Sequence, residues 1–311
     1  MSFHTGEIAV QTRSGVREEA EKLSSMITPV IKPAAQMLLT TQQLAIASSV
    51  DTNGLVWASL LTGQPGFVQV LDHQTVEINC IPIDGDPLYE NLVKNGVLGL
   101  LVIDLTSRKR LRMNGLARVE GQGQIMMQTT EVFFNCPKYI QLRHLETDTP
   151  ESTQPNEIRS FEALTTTEQD WITQSDTFFI ASFNPETGAD ASHRGGYPGF
   201  IQVISDHQLV FPNYAGNNMF QTLGNLTVNP HAGLLFIDFE RGNTLQLTGT
   251  AEVIWDQSRF TTVPGAQRLV EFHIDQVLET TNASPIRWRF GEYSAANPAV
   301  KKESLPDALV V

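Results

Sequence analysis

The chain has 311 residues, of which 41% are hydrophobic and 18% charged, with a net charge of −13. This is the composition of a globular protein with apolar material for two cores, and the length fits two domains of roughly 150 residues. The negative charge opposes nucleic acid and anionic membranes as partners. No apolar run approaches the ~18 residues of a membrane span, and no basic-then-apolar signal opens the chain, so a cytoplasmic location is expected.

In chain order, residues 16–27 read as a helix of good formers stopped by Pro29, and Pro33 opens a second helix running to about Leu39. The first half then has short strands and an amphipathic segment at 126–134. Cys80 and Cys136 lie in this half without metal-ligand spacing and read as reduced thiols. Residues 146–160, polar with two prolines, read as a linker between a domain at 1–145 and one at 161–311. Thr165 and Glu168 have capping-box spacing ahead of a helix. Strands are expected at 178–183, 200–204, 209–212, 232–239 and 245–255, with one helix at 219–228. Many short strands and few helices point to a mainly β fold of small antiparallel barrels.

The second half repeats the first. Gly99-Leu-Leu-Val-Ile-Asp104 returns as Gly233-Leu-Leu-Phe-Ile-Asp238, 134 positions later. Leu44–Ser48 and Phe178–Ser182, Asn91-Leu92 and Asn225-Leu226, and Gly115–Val119 and Gly249–Val253 keep that spacing. Pro65-Gly-Phe67 matches Pro198-Gly-Phe200. Five blocks in one order indicate a tandem duplication. The polar candidates, however, lie in the second copy.

The first candidate segment is Ser192-His-Arg-Gly-Gly196. Gly195 and Gly196 allow a flat ligand or an oxyanion close to the backbone. Arg194 offers a fork of donors, and His193 is a hydrogen-bond donor or proton carrier. A solvated glycine-rich hairpin is the plainer alternative. The second segment runs from Tyr214 to Leu226. Its Gly-Asn-Asn turn entering a helix suits an anion, with Asn217, Asn218, Thr222 and Asn225 as neutral donors. The plainer alternative is that these asparagines cap and turn. In the first copy the turn shrinks to Gly85-Asp-Pro-Leu88, where Asp86 would repel a phosphate. Cys136-Pro-Lys-Tyr139 has no His or acid at a useful spacing, and the scattered histidines predict no metal site.

Together, Ser192–Phe200, Phe211–Asn217, Leu223–Pro230 and Leu245–Gly249 resemble the pyridoxamine 5′-phosphate oxidase-related, FMN-binding split-barrel flavoproteins. Phe3–Val10 and Asn135–Ile140 look like segments of double-barrel members. The resemblance implies two tandem six-stranded antiparallel split β-barrels with FMN in a groove between barrels. It places the ring along Ser192–Gly196 and the phosphate at the Gly216–Asn225 turn and helix. The first barrel would complete the groove as an intramolecular pseudo-dimer, or second barrels would pair in a homodimer. Ile286–Phe290 would close the pocket or form an ordinary strand. Many members carry a lysine where this chain has Thr222. The implied function is FMN-dependent oxidation or reduction of a small-molecule substrate, with no catalytic residue identified. The alternative is a flavin, haem or deazaflavin carrier or sensor without turnover. The basic C-terminal signature of true pyridoxamine 5′-phosphate oxidase is missing.

Overall fold

The computed structural model describes residues 3–80, 83–121, 123–146 and 156–299. Three helices come first: α1 (Thr5–Arg13), α2 (Arg17–Leu23) and α3 (Pro33–Leu39). Pro33 sits in the first turn of α3, where its missing N–H costs nothing. Next come β1 (Leu44–Val50), β2 (Val56–Thr62), β3 (Val68–Val70), β4 (Thr75–Ile78), α4 (Leu88–Asn95), β5 (Val97–Asp104), β6 (Lys109–Glu120) and β7 (Gln124–Asn135). These strands form one antiparallel sheet in the order β2-β1-β5-β6-β7-β4-β3.

After β8 (Leu142–Glu146) come β9 (Glu157–Phe161), α5 (Thr166–Gln174), β10 (Thr177–Asn184), β11 (Gly188–Gly195), β12 (Gln202–Ser205) and β13 (Gln208–Tyr214). The chain continues through α6 (Gln221–Val228), β14 (His231–Ile237), β15 (Thr244–Ile254), β16 (Ala266–Thr281) and β17 (Arg287–Glu292). The second sheet runs β11-β10-β14-β15-β16-β13-β12, the same path with every strand replaced by its counterpart. β9 pairs with β16, and β17 pairs with β8, so the last strand of each half holds the other. Thr165 and Glu168 form the expected capping box at α5.

Each sheet wraps its own apolar core, and a third cluster joins them. β1 shows why its sequence is apolar throughout. Ala45 and Ala47 face the first core, while Leu44 and Ile46 face the shared cluster with Phe179, Leu235 and Trp288. Backbones meet across this joint at the repeated glycines. A Cβ on Gly99 would lie 2.5 Å from the Ala189 carbonyl oxygen, and one on Gly233 2.6 Å from that of Val56. No larger residue fits at either position.

Several expectations change. The amphipathic 126–134 segment, set apart from the strands in the sequence reading, is part of strand β7, the counterpart of β16. The 16-residue β16 escapes a sequence reading because Arg268, Glu271, His273 and Asp275 interrupt its apolar residues. Ile46 lies opposite Leu101 and Phe179 opposite Leu235, so the first strands correspond at 133 positions rather than 134. Of the stretch read as a linker, 147–155 lie outside the described residues, and Glu157–Phe161 is a strand. α6 starts at Gln221 rather than 219, because Asn218 and Phe220 are left-handed, with φ of 62° each. The region of 286–290 does not close the site; Trp288 packs edge-on to Phe239, 5.9 Å between centroids.

Candidate ligand site between the barrels

A cleft opens where β6 and the segment after β7 face β11 and the start of α6. It encloses about 110 Å³ and continues to solvent. Ser192, His193, Arg194, Gly195, Asn217, Asn218 and Thr222 all line it. Gly196 and Asn225 do not line it. Gly196 is held by its own backbone, its N–H donating to Asp176 O and its carbonyl accepting from Gln141 Nε2. Asn225 is buried behind the cleft, donating to Ser182 Oγ and Asp190 Oδ2.

The first half supplies what the sequence reading missed. Arg110 and Arg112 project from β6 into the cleft beside Arg194. Of the three, only Arg112 has a carboxylate partner among the described residues, Asp190 at 2.9 Å; Arg112 also donates to the Ala191 carbonyl and to Ser192 Oγ. Arg194 is pushed down to about 9 by burial and by Arg110 and Arg112. Arg110 is likewise lowered, by burial first. The three guanidiniums share one ion-pair partner, with Glu131 and Glu7 acting on Arg112 at longer range, and an anion would relieve the excess positive charge. A sequence signal for the pair existed: the repeat sets Arg110 and Arg112 against Thr244 and Gln246.

His193 is 3% exposed. Its Nδ1 lies 3.2 Å from Arg110 Nη1, and arginine can only donate, so Nδ1 accepts and the proton sits on Nε2. That Nε2 is buried without a hydrogen-bond partner among the described residues. Burial, then Arg110, Arg194 and Arg143, hold the imidazole well below its usual pKa. His193 is therefore a fixed neutral donor, not the proton carrier near neutral pH that its residue type suggested.

α6 begins without a side-chain cap, and its first residues, Gln221, Thr222 and Leu223, line the cleft. Asn217 spends its side chain on the turn, accepting from Met219 N and donating to Asn135 Oδ1, as the plainer reading held. Thr222 Oγ1 donates to Ser192 Oγ at 2.9 Å.

The first half contains a filled version of this place. By register Ser59 corresponds to Ser192, and Gln246, opposite Leu235, corresponds to Arg112, opposite Leu101. Gln246 Nε2 donates to Ala58 O at 3.0 Å, as Arg112 Nε does to Ala191 O at 3.1 Å. Between them lies the Asp86 carboxylate, accepting from Ser59 Oγ at 2.7 Å, Leu88 N at 2.9 Å and Gln246 Nε2 at 2.9 Å. Leu88 opens α4. One copy thus holds its own carboxyl group against a hydroxyl and a helix N-terminus. The other presents a hydroxyl, a helix N-terminus and guanidiniums to the cleft.

Behind the cleft, the N-terminal segment buttresses α6. His4 Nε2 meets Asn225 Oδ1 at 2.9 Å, and Gln11 donates to Met219 O at 2.9 Å. Glu7 caps α1 and is pushed up to about 8 by burial. Glu131, pushed up to about 7 by burial and by Asp190, shares Asn114 with Asp190.

Residues 164–286 match the family pattern described as pyridoxamine 5′-phosphate oxidase, making this part of the chain pyridoxamine 5′-phosphate oxidase-like. No curated protein matches the chain. Among solved structures, it is similar to HupZ of Group A Streptococcus, at 14% identity and TM-score 0.30, over 42% of this chain and 99% of that one. A FAD-binding protein of Mesorhizobium loti gives 14% and 0.27, over 40% and 96%. A protein related to general stress protein 26, from Clostridium acetobutylicum, gives 10% and 0.28, over 40% and 92%.

Proposed function

We propose that this chain, pyridoxamine 5′-phosphate oxidase-like in its second barrel, binds FMN in the cleft between its barrels and uses it to oxidise or reduce a small molecule. The observation that carries the reading is the guanidinium group of Arg110, Arg112 and Arg194, with one ion-pair partner, beside an uncapped helix N-terminus and the His193 Nε2–H, unpartnered among the described residues. This donor set fits a phosphate. Ser192, Thr222 and the first-turn amides of α6 would complete its shell, as Ser59 and Leu88 do for Asp86. Asn217 and Asn218 shape the turn, and Gly195 admits the Tyr139 carbonyl, whose oxygen would lie 2.1 Å from a Cβ there. The enclosed 110 Å³ falls below the ~300 Å³ at the lower end of ligand pockets, so the ring would occupy the open part of the cleft.

When bound, FMN supplies the redox chemistry. The chain's own residues anchor its anionic end and offer a neutral donor from His193. The first barrel takes the place of a partner subunit, since Arg110 and Arg112 already reach the cleft within one chain.

A second reading, binding without turnover, is favoured by one observation. With His193 held neutral, the cleft lacks, among the described residues, a histidine that changes charge near neutral pH. A haem carrier is the weaker form of this reading, since Arg110 fixes the His193 proton on Nε2 and leaves no lone pair there for iron. A deazaflavin fits the same anion site. The test is to titrate the purified chain with FMN and then add a reduced nicotinamide. Yellow complex with bleaching supports the oxidoreductase; yellow complex without bleaching supports the carrier. A chain that takes up no flavin overturns both flavin readings.

A further inference from the structure

Cys136 follows β7 at the rim of the cleft, half-buried, with Arg110 Nη2 donating toward its Sγ at 3.7 Å. The other nitrogen of that guanidinium holds His193 Nδ1 at 3.2 Å. The sequence places no helper near this thiol, yet the fold brings Arg110 from β6 and His193 from β11. His193 adds the second observation that the place is built for an anion, a buried donor with no partner among the described residues in the same cleft. Cys80 makes the contrast. It also is half-buried, but its Sγ lies 3.2 Å from Tyr89 Oη, near the Asp86 carboxylate, and burial pushes it up. One thiol sits in a positive environment and the other beside a negative one.

We propose that Cys136 is a covalent modification site for small disulfides that carry carboxylates, the arginines drawing the anion in and the thiol capturing it. In the exchange, Cys136 Sγ loses its proton to water and attacks one sulfur of the disulfide. The S–S bond breaks, an Sγ–S bond forms, and the other half leaves as a thiolate. Cysteine is oxidised and the external disulfide reduced, with no other reactant. The anionic adduct lies across the anion site, so modification blocks ligand binding, and excess thiol reverses it. Reactive cysteines are found in electropositive, partly exposed places of this kind.

The inference stands independently of the flavin reading, because the test uses the ligand-free full chain. Dithiobis-nitrobenzoate, a dianionic disulfide, and dithiodipyridine, a neutral one, are compared by thiol release, with peptide mass spectrometry assigning the site. Cys136 should react before Cys80. The rate advantage of the anionic over the neutral reagent should fall about tenfold in Arg110→Gln. Inorganic phosphate added to the wild-type chain should slow the anionic reagent more than the neutral one, which keeps the test decisive if Arg110→Gln does not fold. Cys80 reacting as fast as Cys136, an unchanged advantage in Arg110→Gln, or equal slowing by phosphate would each overturn the proposal.

Discussion

At the scale of single residues, His193 ties stability to pH. Its folded pKa lies well below the unfolded value of about 6.5. Between the two, the unfolded chain binds a proton that the folded chain does not. Stability from this group is therefore fully present above about pH 6.5 and is lost as pH falls below it. Going from about pH 7.5 to about pH 5.5, the wild type should lose on the order of 1 kcal/mol more than His193→Gln, read from urea midpoints. Equal losses would show that the imidazole is already charged in the fold. The sequence made the second-copy residues legible because His193 and Arg194 stand where the first copy has Leu60 and Leu61. Arg110 and Arg112 were hidden by convention: a basic residue on a strand ordinarily faces water. Only the fold shows that their strand faces the other barrel.

At the scale of elements, the crossing of α1 and α6 sets where the N-terminus of α6 meets the cleft. Gly6 and Gly224 form the contact. A Cβ on Gly224 would lie 2.6 Å from Glu7 N, and one on Gly6 would overlap the Gly224 carbonyl oxygen. Gly224→Ala should cost about 1–3 kcal/mol in urea unfolding and also weaken the proposed phosphate binding, since α6 must shift away from α1 and carry its N-terminus with it. Lost stability with unaltered phosphate affinity would separate the helix crossing from the site. Strands with a continuous apolar run and a tight turn were legible, β10 and β14 among them. α1 was not read as a helix, because its segment carries a weak apolar pattern and takes its order from a tertiary contact. The same holds for β16, whose long course is imposed by pairing with β13 and β15.

At the scale of the whole molecule, the duplication has left two places of one ancestry with opposite contents. Asp86 fills the first with three hydrogen bonds, and burial pushes its carboxyl up despite them. Calorimetric titration with FMN should accordingly give one ligand per chain; two would mean that Asp86 can be displaced. Asp86→Ala should destabilise the chain by about 2–4 kcal/mol in urea unfolding, since buried donors lose their acceptor together. The strand order of the two sheets coincides along the whole path, which is the arrangement that the repeat read from sequence leads one to expect.

The covalent joining of the halves has a final consequence. Where two separate subunits share a cleft, dilution dissolves the cleft along with the complex. Here the facing walls travel on one polypeptide, their local concentration fixed by the chain between them, so no amount of dilution can part the arginines of β6 from the helix they face.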